Sequence, residues 1–177
     1  MRRAFATVLV LGMISAACAA SIADRATSAP GAEGWRTAVL RDVVTGEEFA
    51  IKDLEGKVVA IETMAIWCVN CRLQQGEAQA ALAEVASRDV VYISLDVDPN
   101  ERASDLAEYA RRQGYGWRFV VASREVARSL ATTFGDQILS PPSTPLLVLG
   151  PDGALIEKHL GVKSADELAG LFREHLP

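Results

Sequence analysis

Lys57-Val58-Val59-Ala60-Ile61-Glu62-Thr63 leads within a few residues to Trp67-Cys68-Val69-Asn70-Cys71. The Val-Val-Ala-Ile run is short, apolar and β-branched, which predicts a buried strand. Val69 to Ser87 predicts a helix, with Leu73, Ala80, Leu82 and Val85 as its apolar positions. Two thiols separated by two residues therefore fall where a strand gives way to a helix. The chain has three cysteines, and the third, Cys18, lies far upstream.

Outward from this junction the pattern alternates. Thr37 to Val44 and Glu48 to Ile51 flank Thr45-Gly46, a hairpin turn. Val90 to Leu95 predicts a second buried strand. Asp98, Pro99 and Glu101 carry a capping-box signature for a helix, with Leu106, Tyr109 and Ala110 facing inward. Trp117 to Val121 predicts a strand and Ser123 to Thr132 a helix. Pro145 to Leu149 and Ala154 to Lys158 predict a strand pair around Pro151-Asp152-Gly153. Ser164 to Glu167 opens a last helix with Leu168, Leu171 and Phe172 on one face. Strands alternating with helices imply an α/β fold with a central sheet covered on both sides, and the closing hairpin makes that sheet mixed.

The 177 residues are half apolar, with a net charge of -5. That composition supports one buried core and argues against a nucleic-acid partner, which selects a basic face. Arg2-Arg3, the apolar run Ala4 to Ile14 and the small residues Ser15 to Ala20 form an export signal over 1–20. Cleavage after Ala19 or Ala20 discards Cys18; cleavage before Cys18 leaves that thiol to carry a lipid anchor. Residues 21–36, rich in Ala, Ser, Gly and Pro, are expected to be a flexible tether, with the folded domain over 37–177. Both routes place the domain outside the cytoplasm, where disulfide chemistry persists.

At a helix N-terminus, unpaired N–H groups and the helix dipole favour a thiolate, and such thiols fall from about 8.5 to roughly 3.5–7.5. Cys68 is thus the candidate nucleophile. Cys71, one turn later, is the candidate resolving thiol, and Trp67 is expected to pack beside the site. Three other readings compete: half of a zinc site, an inert structural disulfide, and a chance pair. A zinc site lacks a second cysteine pair, with His159 and His175 far away in sequence. So small a ring gains little entropy from closure.

The stretch from Thr37 to Pro177 resembles the thioredoxin-like superfamily, and within it the exported TlpA/ResA-type thiol-disulfide oxidoreductases. The likeness rests on Trp67-Cys68-x-x-Cys71 after a strand, Gly56-Lys57-Val58-Val59 leading into it, Ser143-Thr144-Pro145 opening a late strand, and the extra N-terminal hairpin. The resemblance implies a thioredoxin-like fold and a cis bond between Thr144 and Pro145. These two residues would then present backbone to a substrate strand. It also implies that Glu62, six residues before Cys68, is a buried acid relaying a proton to Cys71; the alternative is a solvated or ion-paired carboxylate. Val69-Asn70, Gly76 and Gln74 depart from the family pattern.

Tyr92 to Pro99 and Trp117-Arg118-Phe119 also resemble the Sco copper-delivery proteins, although those have three residues between their cysteines and a distal His. The resemblances imply an extracytoplasmic, periplasmic thiol-disulfide oxidoreductase, with Cu(I) delivery as the alternative. The expected partners are proteins with disulfides or thiols, such as cytochrome c biogenesis substrates, and a membrane electron donor of the CcdA or DsbD type. The chain is expected to be a monomer. It is expected to need no organic cofactor and no resident metal, because the Cys68–Cys71 pair itself carries two electrons.

Overall fold

The computed structural model describes Gly31 and residues 33–177. A short helix α1 (Gly34–Thr37) precedes the two-residue strands β1 (Leu40–Arg41) and β2 (Glu48–Phe49). Then follow β3 (Val58–Met64), α2 (Val69–Val85), β4 (Val90–Asp96), α3 (Ala103–Gln113), β5 (Arg118–Val121) and α4 (Arg124–Phe134). The chain closes with β6 (Pro145–Leu149), β7 (Leu155–Leu160) and α5 (Ala165–His175).

The main sheet has the order β5-β4-β3-β6-β7. β3, β4 and β5 are parallel, and β6 and β7 are antiparallel additions. This is the mixed, helix-covered sheet expected from the sequence. The hairpin is present too, as a separate antiparallel pair. It docks on the outer edge of β5, where Val43 N–H donates to Phe119 O at 2.8 Å and Phe119 N–H to Asp42 Oδ1 at 3.3 Å. That contact covers part of a sheet edge.

Strand periodicity divides the core. Val59, Ile61, Ile93, Leu95, Leu147 and Leu149 point to one face, against Trp35, Val126 and Leu130. Val58, Ala60, Tyr92, Leu146 and Val148 point to the other, against Ala78, Ala81, Leu168 and Phe172. Each buried Leu, Ile or Phe contributes about 1.5–3 kcal/mol through lost water contact. Glu62 shares the register of Val58 and Ala60, so it must enter the α2 and α5 face.

Three expectations need correction. The stretch read as tether is structured at its end. Trp35 is buried, its backbone N–H donates to Ser129 Oγ at 3.0 Å, and its ring meets Phe134 edge-on at 5.4 Å. One large indole outweighs the polar, flexible composition around it. The buried face of α2 is Cys71, Gln74, Gln75, Ala78 and Ala81, whereas Leu73 is 58 % exposed. Helix α3 begins at Ala103, not after Asp98, and its N-cap Arg102 makes no side-chain cap. The capping-box side chains are used elsewhere, as described below.

Candidate redox site

Cys68 and Cys71 form a disulfide with their Cα atoms 5.3 Å apart. Cys68 is the N-cap of α2, where the side chain accepts from Cys71 N–H at 3.1 Å. That bond and the helix dipole favour negative charge on the Cys68 sulfur. Pro141 O opposes them, lying 3.3 Å from each sulfur. Cys68 is only 3 % exposed and Cys71 is fully buried.

The loop before Cys68 is held by acids. Ile66 N–H donates to both carboxylate oxygens of Glu101, at 3.0 and 2.9 Å. Trp67 is 56 % exposed and its indole N–H reaches Asp98 Oδ2 at 2.7 Å. This bond is the first cause of a lowered Asp98 pKa. Asp98 and Glu101 therefore fasten the approach to the cysteines instead of capping α3.

Asp96, at the end of β4, is fully buried. One oxygen accepts from Asp98 N–H at 2.9 Å. Burial first, then the Glu101 carboxyl, push Asp96 up to about 8. Sequence reading passed over this acid because it ends an apolar strand.

Glu62 is fully buried beneath α2. Its Oε2 accepts from Ser94 Oγ at 3.1 Å, Gln75 Nε2 at 3.2 Å and Tyr92 OH at 3.5 Å. Its Oε1 has no partner. Burial lifts the pKa to about 8, against the lowering pull of those three donors. The network continues outward, with Tyr109 OH donating to Gln75 Oε1 at 2.5 Å and Trp117 Nε1 to Ser94 Oγ at 2.9 Å. Gln75, one turn after Cys71, thus links α2 to the acid. Its polarity hid it from a search for apolar periodicity.

Gln74 is buried as well. It accepts from Lys163 N–H at 2.8 Å and donates to Lys163 O at 3.3 Å. A carboxylate there could accept but not donate, which accounts for an amide at this position.

The Thr144–Pro145 bond is trans, contrary to the expectation of a cis bond. A 3₁₀ turn over Pro141–Ser143 ends at Thr144, which takes φ 46° and ψ 62°. This left-handed step reverses the chain. Thr144 is buried, and its N–H donates to Pro141 O at 2.8 Å, so that donor is already used. Pro145 opens β6 opposite Leu160. His159 stands on β7, with Nδ1 3.7 Å from Glu157. Among the described residues, no three His, Cys, Asp or Glu side chains converge to hold a metal. Cys18 and the export segment over 1–20 lie outside the described residues.

No family model and no curated sequence matches the chain. Solved structures do match. A thiol:disulfide interchange protein of the thioredoxin family from Chlorobium tepidum superposes with a TM-score of 0.66 at 20 % identity, over 79 % of this chain and 93 % of that one. StoA from Bacillus subtilis gives 0.57 at 15 %, over 75 % and 95 %. Copper-bound ScoI from Arabidopsis thaliana gives 0.60 at 18 %, over 77 % and 94 %. The chain has the thioredoxin-like fold, with a Cys-x-x-Cys disulfide at the N-terminus of α2.

Proposed function

We propose that the protein is an extracytoplasmic thiol-disulfide oxidoreductase of the TlpA/ResA type. The observation that carries this reading is the Cys68–Cys71 disulfide at the start of α2, with a buried proton-binding acid beneath that helix. In the reductive direction the Cys68 thiolate attacks a substrate disulfide. One substrate sulfur leaves as a thiolate and a mixed disulfide forms. Cys71 then attacks the Cys68 sulfur, the second substrate thiol departs, and the internal disulfide is restored. Glu62, titrating near 8, is poised to take the Cys71 proton and to return it in the reverse direction.

Substrate proteins would meet the exposed Trp67, Val69 and Leu73 beside the disulfide. Thr144 and Pro145, both buried, contribute to this surface only by supporting the Pro141–Ser143 turn. The export signal of 1–20 supports a periplasmic site of action, with Cys18 either lipidated or removed. A reductase there draws electrons from a membrane donor of the CcdA or DsbD type, and cytochrome c or copper-site cysteines are suitable substrates. No organic cofactor or resident metal enters this scheme.

The test is insulin-disulfide reduction with dithiothreitol as electron source. Wild type should accelerate it and Cys68→Ser should abolish the acceleration. Equal rates for the two proteins would contradict the reading. Tight Cu(I) binding by a dithiol that resists oxidation would favour the copper alternative.

A further inference from the structure

The turn above the disulfide is unusual in its chemistry. Pro141 and Pro142 have no N–H groups, so only their carbonyls can be held, and both φ angles are fixed by the rings. Pro141 O accepts from Thr144 N–H at 2.8 Å and also faces both sulfurs at 3.3 Å. One end of the turn is fastened just past β7, where Gly161 N–H donates to Ser143 O at 2.8 Å. Towards α2, the one side-chain hydrogen bond among the described residues, apart from the sulfur contacts, is Asn70 Nδ2 to Pro142 O at 3.0 Å. Asn70 lies between the two cysteines and is otherwise exposed. It is therefore free of a core-packing role.

Little of the disulfide meets water. With Cys68 at 3 % exposure and Cys71 at none, an incoming thiolate has almost no sulfur surface to strike. The Pro141 carbonyl fills the space beside both sulfurs and presents its negative end to any anion that approaches.

We propose that Asn70 is a positioning residue that latches the Pro141–Pro142 turn over the Cys68–Cys71 disulfide, so that thiol exchange proceeds through an open state in which the Asn70–Pro142 hydrogen bond is broken. This rests on the oxidoreductase reading. In the open state a reductant thiolate attacks Cys68 Sγ. The S–S bond breaks, its electron pair goes to Cys71 Sγ, and a mixed disulfide forms between the reductant and Cys68. A second thiolate of the reductant then attacks its own sulfur in that mixed disulfide and releases Cys68 as a thiolate. The protein disulfide gains two electrons and the reductant dithiol becomes a disulfide.

The experiment uses the full chain as wild type, Asn70→Ala and Asn70→Leu. Leu retains the side-chain volume but loses the donor. Three quantities are measured: the rate of Cys68–Cys71 reduction by dithiothreitol, hydrogen exchange at the Thr144 amide, and Tm. Losing one exposed, neutral hydrogen bond should raise the open fraction by about 2- to 10-fold. Both variants should therefore be reduced about 2- to 10-fold faster, with faster Thr144 exchange and a Tm lowered alike in both by no more than a few degrees. Unchanged or slower reduction in both variants would overturn the latch, whether or not Thr144 exchange rises. Failure of all three proteins to react with dithiothreitol would overturn the oxidoreductase reading and the latch with it. A reactive wild type with indifferent variants would remove the latch alone.

Discussion

Glu62 and Asp96 lie on neighbouring strands and on the same face of the sheet, Glu62 opposite Ser94 and Asp96 opposite Met64. Both are fully buried and both are pushed to about 8, yet their surroundings are opposite in kind. Glu62 is surrounded by neutral donors that ease its ionisation, and burial alone raises it. Asp96 faces two further carboxyls, Glu101 and Asp98, which add to burial. The first acid is tied to α2 through Gln75. The second is coupled to the loop that ends in Trp67 through Asp98 and Glu101. One acid lies beneath the helix that carries the disulfide, and the other beside the loop that leads to it.

Removing the Glu62 charge should have the largest effect. A carboxyl raised from 4.5 to about 8 binds its proton in the folded state while the unfolded chain has lost it. Stability should therefore fall as pH rises from about 4.5 to about 8 and level off above. The shift corresponds to on the order of 5 kcal/mol. Glu62→Gln should lose this decline and be more stable than wild type at pH 8 to 9 by several kcal/mol, read from urea unfolding across pH.

Asp96→Asn should give a gain of the same sign, over a window from about 3.8 to about 8, reduced to the extent that its shift comes from neighbouring carboxyls. Asp98 and Glu101 are partly exposed, and water screens their repulsion. Glu62 is not among the groups that shift Asp96, so the two effects should add in the double variant. Strong non-additivity would merge the two sites into one.

Gln75→Leu breaks the Glu62 side alone. It removes a donor from Glu62 Oε2 and the acceptor that Gln75 offers the Tyr109 hydroxyl. A cost of about 1–3 kcal/mol is expected, and the Glu62 titration should move further upward. Gly76→Ala is the smallest change. An added Cβ at Gly76 meets nothing within 4 Å, and the position lies on the outer surface of α2. A gain of about 1 kcal/mol is expected, with the pH profile of stability unchanged.

The same two acids show what a sequence reveals. Glu62 was legible through the resemblance, which implies a buried acid six residues before Cys68, and the strand register agrees with it. Asp96 was not, since a buried acid has no sequence signature apart from its partners. The apolar strands β3, β4 and β6 and the Cys-x-x-Cys junction were visible as β-branched runs and spacing. The inner face of α2 was misread in its first half, where two buried residues are glutamines held by polar partners remote in sequence, whereas Leu82 and Val85 pack against the core as expected. Asp98 and Glu101 imitated a capping box because the same side chains that cap a helix can bind any free N–H. In this fold the nearest such donors are Ile66 and the Trp67 indole. At Thr144 a left-handed φ of 46° and a trans bond stand where the resemblance implied a cis bond presenting backbone to substrate.

The most direct test of the central claim is an equilibrium redox titration of the Cys68–Cys71 pair in the full chain against dithiothreitol and glutathione buffers. A redox-active pair should titrate as one two-electron transition between about -270 and -120 mV, the span of thioredoxin-fold exchangers. A pair that stays oxidised to below about -300 mV would be a structural disulfide and would contradict the account.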